Sequence, residues 1–443
     1  MSEQGPELTG QSAAPMSVGP ITGAERIASL DVLRGIAVLG ILVMNIYAFA
    51  MPFPLAYNNP LLMGGTDALN MGVWFTTHIL FDQKFLSIFA MLFGAGIILM
   101  THRAEEKGAR YGRTFFRRQF WLLILGALHA YFIWVGDILF IYAAVGMLAY
   151  LFRKRRPLTL IVIACLLLPV TLLLDYAIGF QMEKAQTVVA EVTALEEAGE
   201  VLSDEQKKIL SNWEEQRAYM SPDAEAIQKI VVIHQGSYAE ITAYRMPVAI
   251  GTQIFGLISF GLWRITALML IGMALIKTGV LSAERSTSFY RKMMLLCYGI
   301  GLSLTVFSAI DLHAHGFNPT YVYQMGGLPN YFGSIIVGLG HIALVMLLIK
   351  TGFVQGLLQR FAAVGRMALT NYLMHSVILT TVFYGYGLGL YGEVPRFGQM
   401  GFVAAVIALQ LVLSPWWLAR YRFGPVEWLW RSLTYWQMQP MAR

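Results

Sequence analysis

His129 and Asp137, in the string GALHAYFIWVGDILFIYAAVG, are the residues of this chain best suited to proton transfer. Histidine titrates near neutral pH, and a carboxylate beside it orients the ring and raises its basicity. Asn45 can donate a hydrogen bond to a developing oxyanion. Asp31 and Arg34, at the head of the same segment, could grip a substrate, as could Arg264 and His78. Each also has a plain structural reading. Asp31 and Arg34 suit an i, i+3 ion pair at a helix end, and a histidine between apolar helices often only bonds its neighbour. Asp82 and Lys84 read as an interfacial pair whose long side chain snorkels, and His341 and His375 as packing hydrogen bonds. The cysteines, Cys165 and Cys297, have no metal-ligand spacing, and no GxSxG, HExxH or Walker string occurs, so neither a metal site nor a permanently bound cofactor is expected.

What positions these groups is a bilayer. Of 443 residues, 57% are hydrophobic and only 13% charged, which excludes an ordinary soluble domain. Apolar runs of spanning length lie near 29–51, 77–100, 119–135, 138–152, 158–180, 250–276, 293–310, 331–349, 367–390 and 399–418. The expected fold is therefore all-α: a polytopic integral membrane protein with about ten transmembrane helices. The short runs flanking Gly136-Asp137 suit a tight helical hairpin. A charge inside a span costs at least about 2.5–3.5 kcal/mol, so each one needs a partner or a role. At about 100° per residue, Asp31, Arg34 and Asn45 share one helix face, which must point to protein, with Asn45 roughly 16 Å from Arg34.

Loop charge gives the orientation. The net charge of +6 sits in short basic clusters between apolar runs, which fits a membrane surface and excludes nucleic acid as a partner. Loops 101–118, 153–157, 277–292, 350–366 and the tail after 419 are all basic. By contrast, 311–330 has no lysine or arginine, 391–398 has only Arg396, and 181–245 has twelve acids against six bases. Both termini are thus expected in the cytoplasm. The chain divides into a disordered tail over 1–25, membrane helices over 26–180, an extracytoplasmic insert of one or two amphipathic helices over 181–245, and further membrane helices over 246–443. Arg26, Arg34 and the run Ile36–Met44 imitate a signal peptide, but Asp31 falls inside its basic region, which favours an uncleaved first helix. Gly94 and Gly96 read as close helix packing, since no Lys-Ser/Thr follows them.

The strings RIASLDVLRGIAVLGILVMNIYAF, KFLSIFAMLFGAG, HAYFIWVGDIL, GRMALTNYL and GPVEWLWRSLTY closely resemble the YeiB-like family of bacterial inner-membrane proteins, over about 26–436. That family is a domain of unknown function, so the resemblance implies location and fold. The opening Asp31, Arg34, Gly35 and the later Asn45 also resemble the first helix of acyltransferases of the heparan-α-glucosaminide N-acetyltransferase type. That resemblance implies transfer of an acyl group from acyl-CoA to an acceptor across the membrane, with Asn45 working beside a histidine just after the first helix. Here 51–77 lacks a histidine; His78 comes late, and His129 is on another helix. The leading expectation is acyl transfer from a cytoplasmic donor such as acyl-CoA to a cell-envelope acceptor. The alternative is a small-molecule transporter, because five spans on either side of the insert would have opposite topology. A scaffold is the third reading, and an oligomer is compatible with all three.

Overall fold

In a computed structural model, residues 27–53, 59–106 and 111–443 are described; the expected N-terminal tail, Lys107 and Arg110 lie outside them. The described chain is helical throughout, with no β-strand and a single isolated bridge between Tyr421 and Ala442. The helices are α1 Ala28–Ala50, α2 Ala68–Leu80, α3 Lys84–Glu106, α4 Gly112–Phe132, α5 Leu139–Ala149 and α6 Pro157–Glu197. They continue as α7 Asp204–Met220, α8 Ala224–His234, α9 Tyr238–Gly256, α10 Thr266–Lys277, α11 Thr287–Ala314 and α12 Leu328–Thr351. The last four are α13 Gln355–Arg366, α14 Ala368–Phe383, α15 Arg396–Arg420 and α16 Pro425–Tyr435.

Among the described residues, seven helical stretches are long and apolar enough to cross a membrane: α1, α2–α3, α6, Tyr238–Lys277, α11, α12 and α15. The expected spans 138–152 and 367–390 fall on the shorter apolar helices Leu139–Phe152 and Ala368–Phe383, and 119–135 falls on α4. Polar termini fix several starts. Asp67 accepts from the backbone N–H groups of Leu69 and Asn70, Asp223 from Ala226, and Ser286 from Phe289, while Ser237 and Glu240 form a capping box at α9. Two π-helical stretches, Leu257–Ile265 and Val322–Gly326, interrupt regular winding, the first inside the Tyr238–Lys277 helix.

Residues 181–245 are the C-terminal continuation of α6 together with α7, α8 and the start of α9. The segment folds back: Gly385 N–H donates to the His234 carbonyl (2.9 Å), and the His234 ring stacks on Tyr391 (4.3 Å, 6°). Burial holds the His234 pKa down to about 4, so its ring packs as a neutral aromatic.

Two helix crossings are set by glycine. A Cβ built on Gly35 would lie 1.9 Å from the Phe361 carbonyl oxygen, and one on Gly365 would lie 1.8 Å from that of Asp31. α1 and α13 therefore touch backbone to backbone. The same reciprocity joins α3 to α10, where Gly94 meets Met269 O and Gly272 meets Met91 O at 1.9 and 1.8 Å. Gly96 differs from the packing expectation. A Cβ built there would meet nothing nearer than the Arg34 guanidinium at 3.7 Å, and the position opens onto a cavity.

Candidate functional site

The hairpin of α4 and α5 brings the acid–base pair together. Gly126 lets the start of α5 approach, since a Cβ there would lie 2.4 Å from Phe140 N and 2.8 Å from Asp137 Oδ1. Asp137 then caps α5, with Oδ1 accepting from the Phe140 N–H at 2.9 Å. Its Oδ2 lies 2.7 Å from His129 Nδ1, and both side chains are buried. The far side of the ring meets a residue the sequence did not single out: His129 Nε2 is 2.8 Å from the hydroxyl of Ser376 on α14. With the carboxylate accepting from Nδ1–H, Nε2 is left as the acceptor and Ser376 donates. That is the tautomer of a Ser-His-Asp relay.

The Tyr372 ring stands edge-on to His129, centroids 5.4 Å apart. Its hydroxyl donates to the Gly136 carbonyl at 3.2 Å and accepts from Ile138 N–H at 3.3 Å. Beyond Tyr372 opens a cavity of about 240 Å³. Leu92, Phe93, Leu122 and Leu139 make its walls apolar, while Arg34, Arg103, Arg118, Arg366 and Arg431 line it as well, drawn from α1, α3, α4, α13 and α16. Arg118 stacks on Trp430 at 3.6 Å. Glu427, also lining the cavity, accepts from the N–H groups of Leu369 (2.7 Å) and Thr370 (3.1 Å), and so joins α16 to the start of α14. Burial pushes the pKa of Glu427 up against these hydrogen bonds.

Asp31 and Arg34 form the i, i+3 pair (3.1 Å), and with Val38 and Ile41 they line the cavity along one face of α1. Asn45, next on that face, does not line it; it is half-buried, and no side-chain hydrogen bond is recorded for it among the described residues. The face is therefore shared as expected, but Asn45 is not joined to His129. Removing one member of the Asp31–Arg34 pair leaves a partly buried charge without its counterpart, which is worse than removing both. Asp31→Asn and Arg34→Gln are each expected to lower the yield of monodisperse protein more than the double variant does. Strictly additive losses in a double-mutant comparison would show that the two are uncoupled.

His78 and Arg264 belong to a different polar cluster. Lys84 Nζ donates to the His78 carbonyl and to Asn330 Oδ1 (2.7 Å), and Asn330 Nδ2 donates to Asp82 at 2.7 Å. His78 lies 3.4 Å from the Asp82 carboxylate. Lys84 is fully buried, so the expected interfacial, snorkelling pair is instead an internal network completed by α12. Arg264, also fully buried, donates to the Tyr331 carbonyl (3.0 Å) and the Ser334 hydroxyl (2.8 Å) and lies 4.0 Å above the Tyr331 ring. His341 bonds Tyr298 and the Leu80 carbonyl, and His375 bonds Gln410. Among the described residues, no group of three or more His, Cys, Asp or Glu side chains is arranged to hold a metal ion.

Fold and site together define a multi-pass α-helical membrane protein in which a buried Ser-His-Asp relay adjoins an arginine-lined cavity. The chain belongs to the YeiB-like family: it is 32% identical over 443 residues to "Uncharacterized protein YxaH" of Bacillus subtilis, covering 96% of this chain and 98% of the relative. It is 31% identical over 423 residues to "Uncharacterized protein YeiB" of Escherichia coli, covering 93% and 96%. The model described as "Protein of unknown function (DUF418)" matches residues 275–437, which include α14, α16 and Ser376. No solved structure matches the chain.

Proposed function

We propose that this protein is a membrane acyltransferase that moves an acyl group from a cytoplasmic donor such as acyl-CoA to an acceptor in the cell envelope. The observation that carries the reading is the cavity: its arginines suit the phosphates of a CoA-like donor, its apolar walls suit an acyl chain, and it ends one ring short of His129. His129 acts as general base toward the nucleophile, and Asp137 orients it. Asn45, the expected oxyanion donor, lies further along the face of α1 that carries Asp31 and Arg34, outside the cavity lining. The test is direct. Full-length protein in proteoliposomes should bind labelled acyl-CoA and transfer the label to an envelope acceptor. A sample that neither binds nor hydrolyses acyl-CoA, yet moves a solute down its gradient, supports the transporter instead. The observation favouring that alternative is the π-helical stretch Leu257–Ile265, which carries the buried Arg264 inside a long apolar helix.

The same reading places ten spans in a bacterial inner membrane: α1, α3, α4, α5, α6, the Tyr238–Lys277 helix, α11, α12, α14 and α15, with both termini cytoplasmic. The basic loops support it. Single cysteines at the exposed positions Ala198 and Thr159, on a background lacking Cys165 and Cys297, test it with an impermeant thiol reagent on intact cells. Labelling at Ala198 alone is expected, and labelling at Thr159 alone would invert the topology.

A further inference from the structure

Serine and threonine hydroxyls inside helices ordinarily return their hydrogen bond to the carbonyl one turn back. Ser87, Ser259, Ser303 and Thr380 all do so in this fold, to Gln83, Phe255, Gly299 and Ser376. Ser376 is different: its hydroxyl is directed at His129 Nε2 at 2.8 Å, and the opposite nitrogen of that ring is held by Asp137 at 2.7 Å. Three side chains from two separate parts of the chain, α14 and the α4–α5 hairpin, thus assemble a nucleophile, its base and the group that orients the base.

The cavity points along the same helix face. Leu369 and Tyr372 line it, and Ser376 is the next residue on that face, four positions beyond Tyr372. The Tyr372 ring touches both the cavity and His129, and its hydroxyl is held by two hydrogen bonds of 3.2 and 3.3 Å, each slightly longer than the normal range.

We propose that Ser376 is the nucleophile, carrying the acyl group as an ester between donor and acceptor. This rests on the acyl-transfer reading above. In the first half-reaction Ser376 Oγ attacks the thioester carbonyl and its proton passes to His129 Nε2. The C–S bond breaks, and the same proton leaves with the thiol. In the second, an acceptor hydroxyl or amine gives its proton to His129 and attacks the ester carbonyl. The bond between the acyl carbon and Ser376 Oγ breaks, and Oγ takes the proton back. No oxidant or reductant is consumed.

The full-length chain in lipid nanodiscs is treated with a long-chain alkyl fluorophosphonate, which forms a P–O bond to an activated serine and expels fluoride. The expected result is one adduct per chain, mapped by mass spectrometry to the peptide carrying Ser376. Ser376→Ala should give none, and Asp137→Asn should slow labelling by about 100-fold or more. Mapping on the unsubstituted chain does not depend on any variant folding. A protein that transfers acyl groups from acyl-CoA but stays unlabelled at Ser376, with Ser376→Ala retaining transfer, overturns the nucleophile and leaves the acyltransferase standing. Labelling at Ser376 in a chain that does not handle acyl-CoA overturns the acyl-CoA reading and leaves the nucleophile. A chain that does neither overturns both.

Discussion

Asp137→Asn is expected to lower acyl transfer by about 10⁴-fold while the protein folds and binds its donor normally. The carboxylate does two separate things. Through Oδ1 it caps α5, which an asparagine oxygen does equally well. Through Oδ2 it accepts from His129 Nδ1, which the amide cannot do if its NH₂ faces the ring. The imidazole then flips tautomer, Nε2 carries the proton, and the base can no longer take one from Ser376. His129→Ala is a weaker experiment, because it strands a buried carboxylate and confounds catalysis with stability. The measurement is turnover with labelled acyl-CoA beside donor affinity and melting temperature. A variant within tenfold of the parent would remove His129 from the mechanism.

Gly35→Ala and Gly365→Ala are each expected to abolish the folded, monodisperse protein or to cost it about 3 kcal/mol or more, the upper end of overpacking effects. The added methyl would stand 1.9 Å from Phe361 O in the first case and 1.8 Å from Asp31 O in the second. Both obstacles are backbone, so no rotamer relieves them and α1 must part from α13. Arg34 and Arg366, which line the cavity, sit beside these glycines in sequence and would move with them. Gly356→Ala, on α13 itself, is the control, because a Cβ there meets nothing within 4 Å. If Gly35→Ala melts with Gly356→Ala, the crossing is not what holds these helices in place.

The helical, membrane-spanning class was legible because it depends on composition and run length, which are local. The first apolar run, expected over 29–51, is α1 at Ala28–Ala50. The His129–Asp137 pair was legible for a related reason, since a single tight hairpin holds both residues. Ser376 was not, because its partner lies 247 positions away and a serine in an apolar helix is ordinary. Lys84 and Asp82 were misread because a charged pair at the end of an apolar run looks like a membrane interface. Asn330, on α12, bridges the two and helps make burial of that pair tolerable, which no local pattern reveals. Asn45 marks the limit of periodicity: the helix angle placed it on the right face, but no angle says how far along that face a cavity extends.

The length of α6 carries a consequence of its own. Its 41 residues amount to a rod of roughly 60 Å, about twice the hydrocarbon thickness of a bilayer. On the ten-span reading proposed above, about half of it would stand clear of the lipid like a mast, with α7 and α8 as the stay that runs back to Gly385. Shortening the mast by whole turns, in steps of about 5.4 Å that preserve its facing, would bring α7 and α8 closer to the lipid headgroups without altering the buried relay.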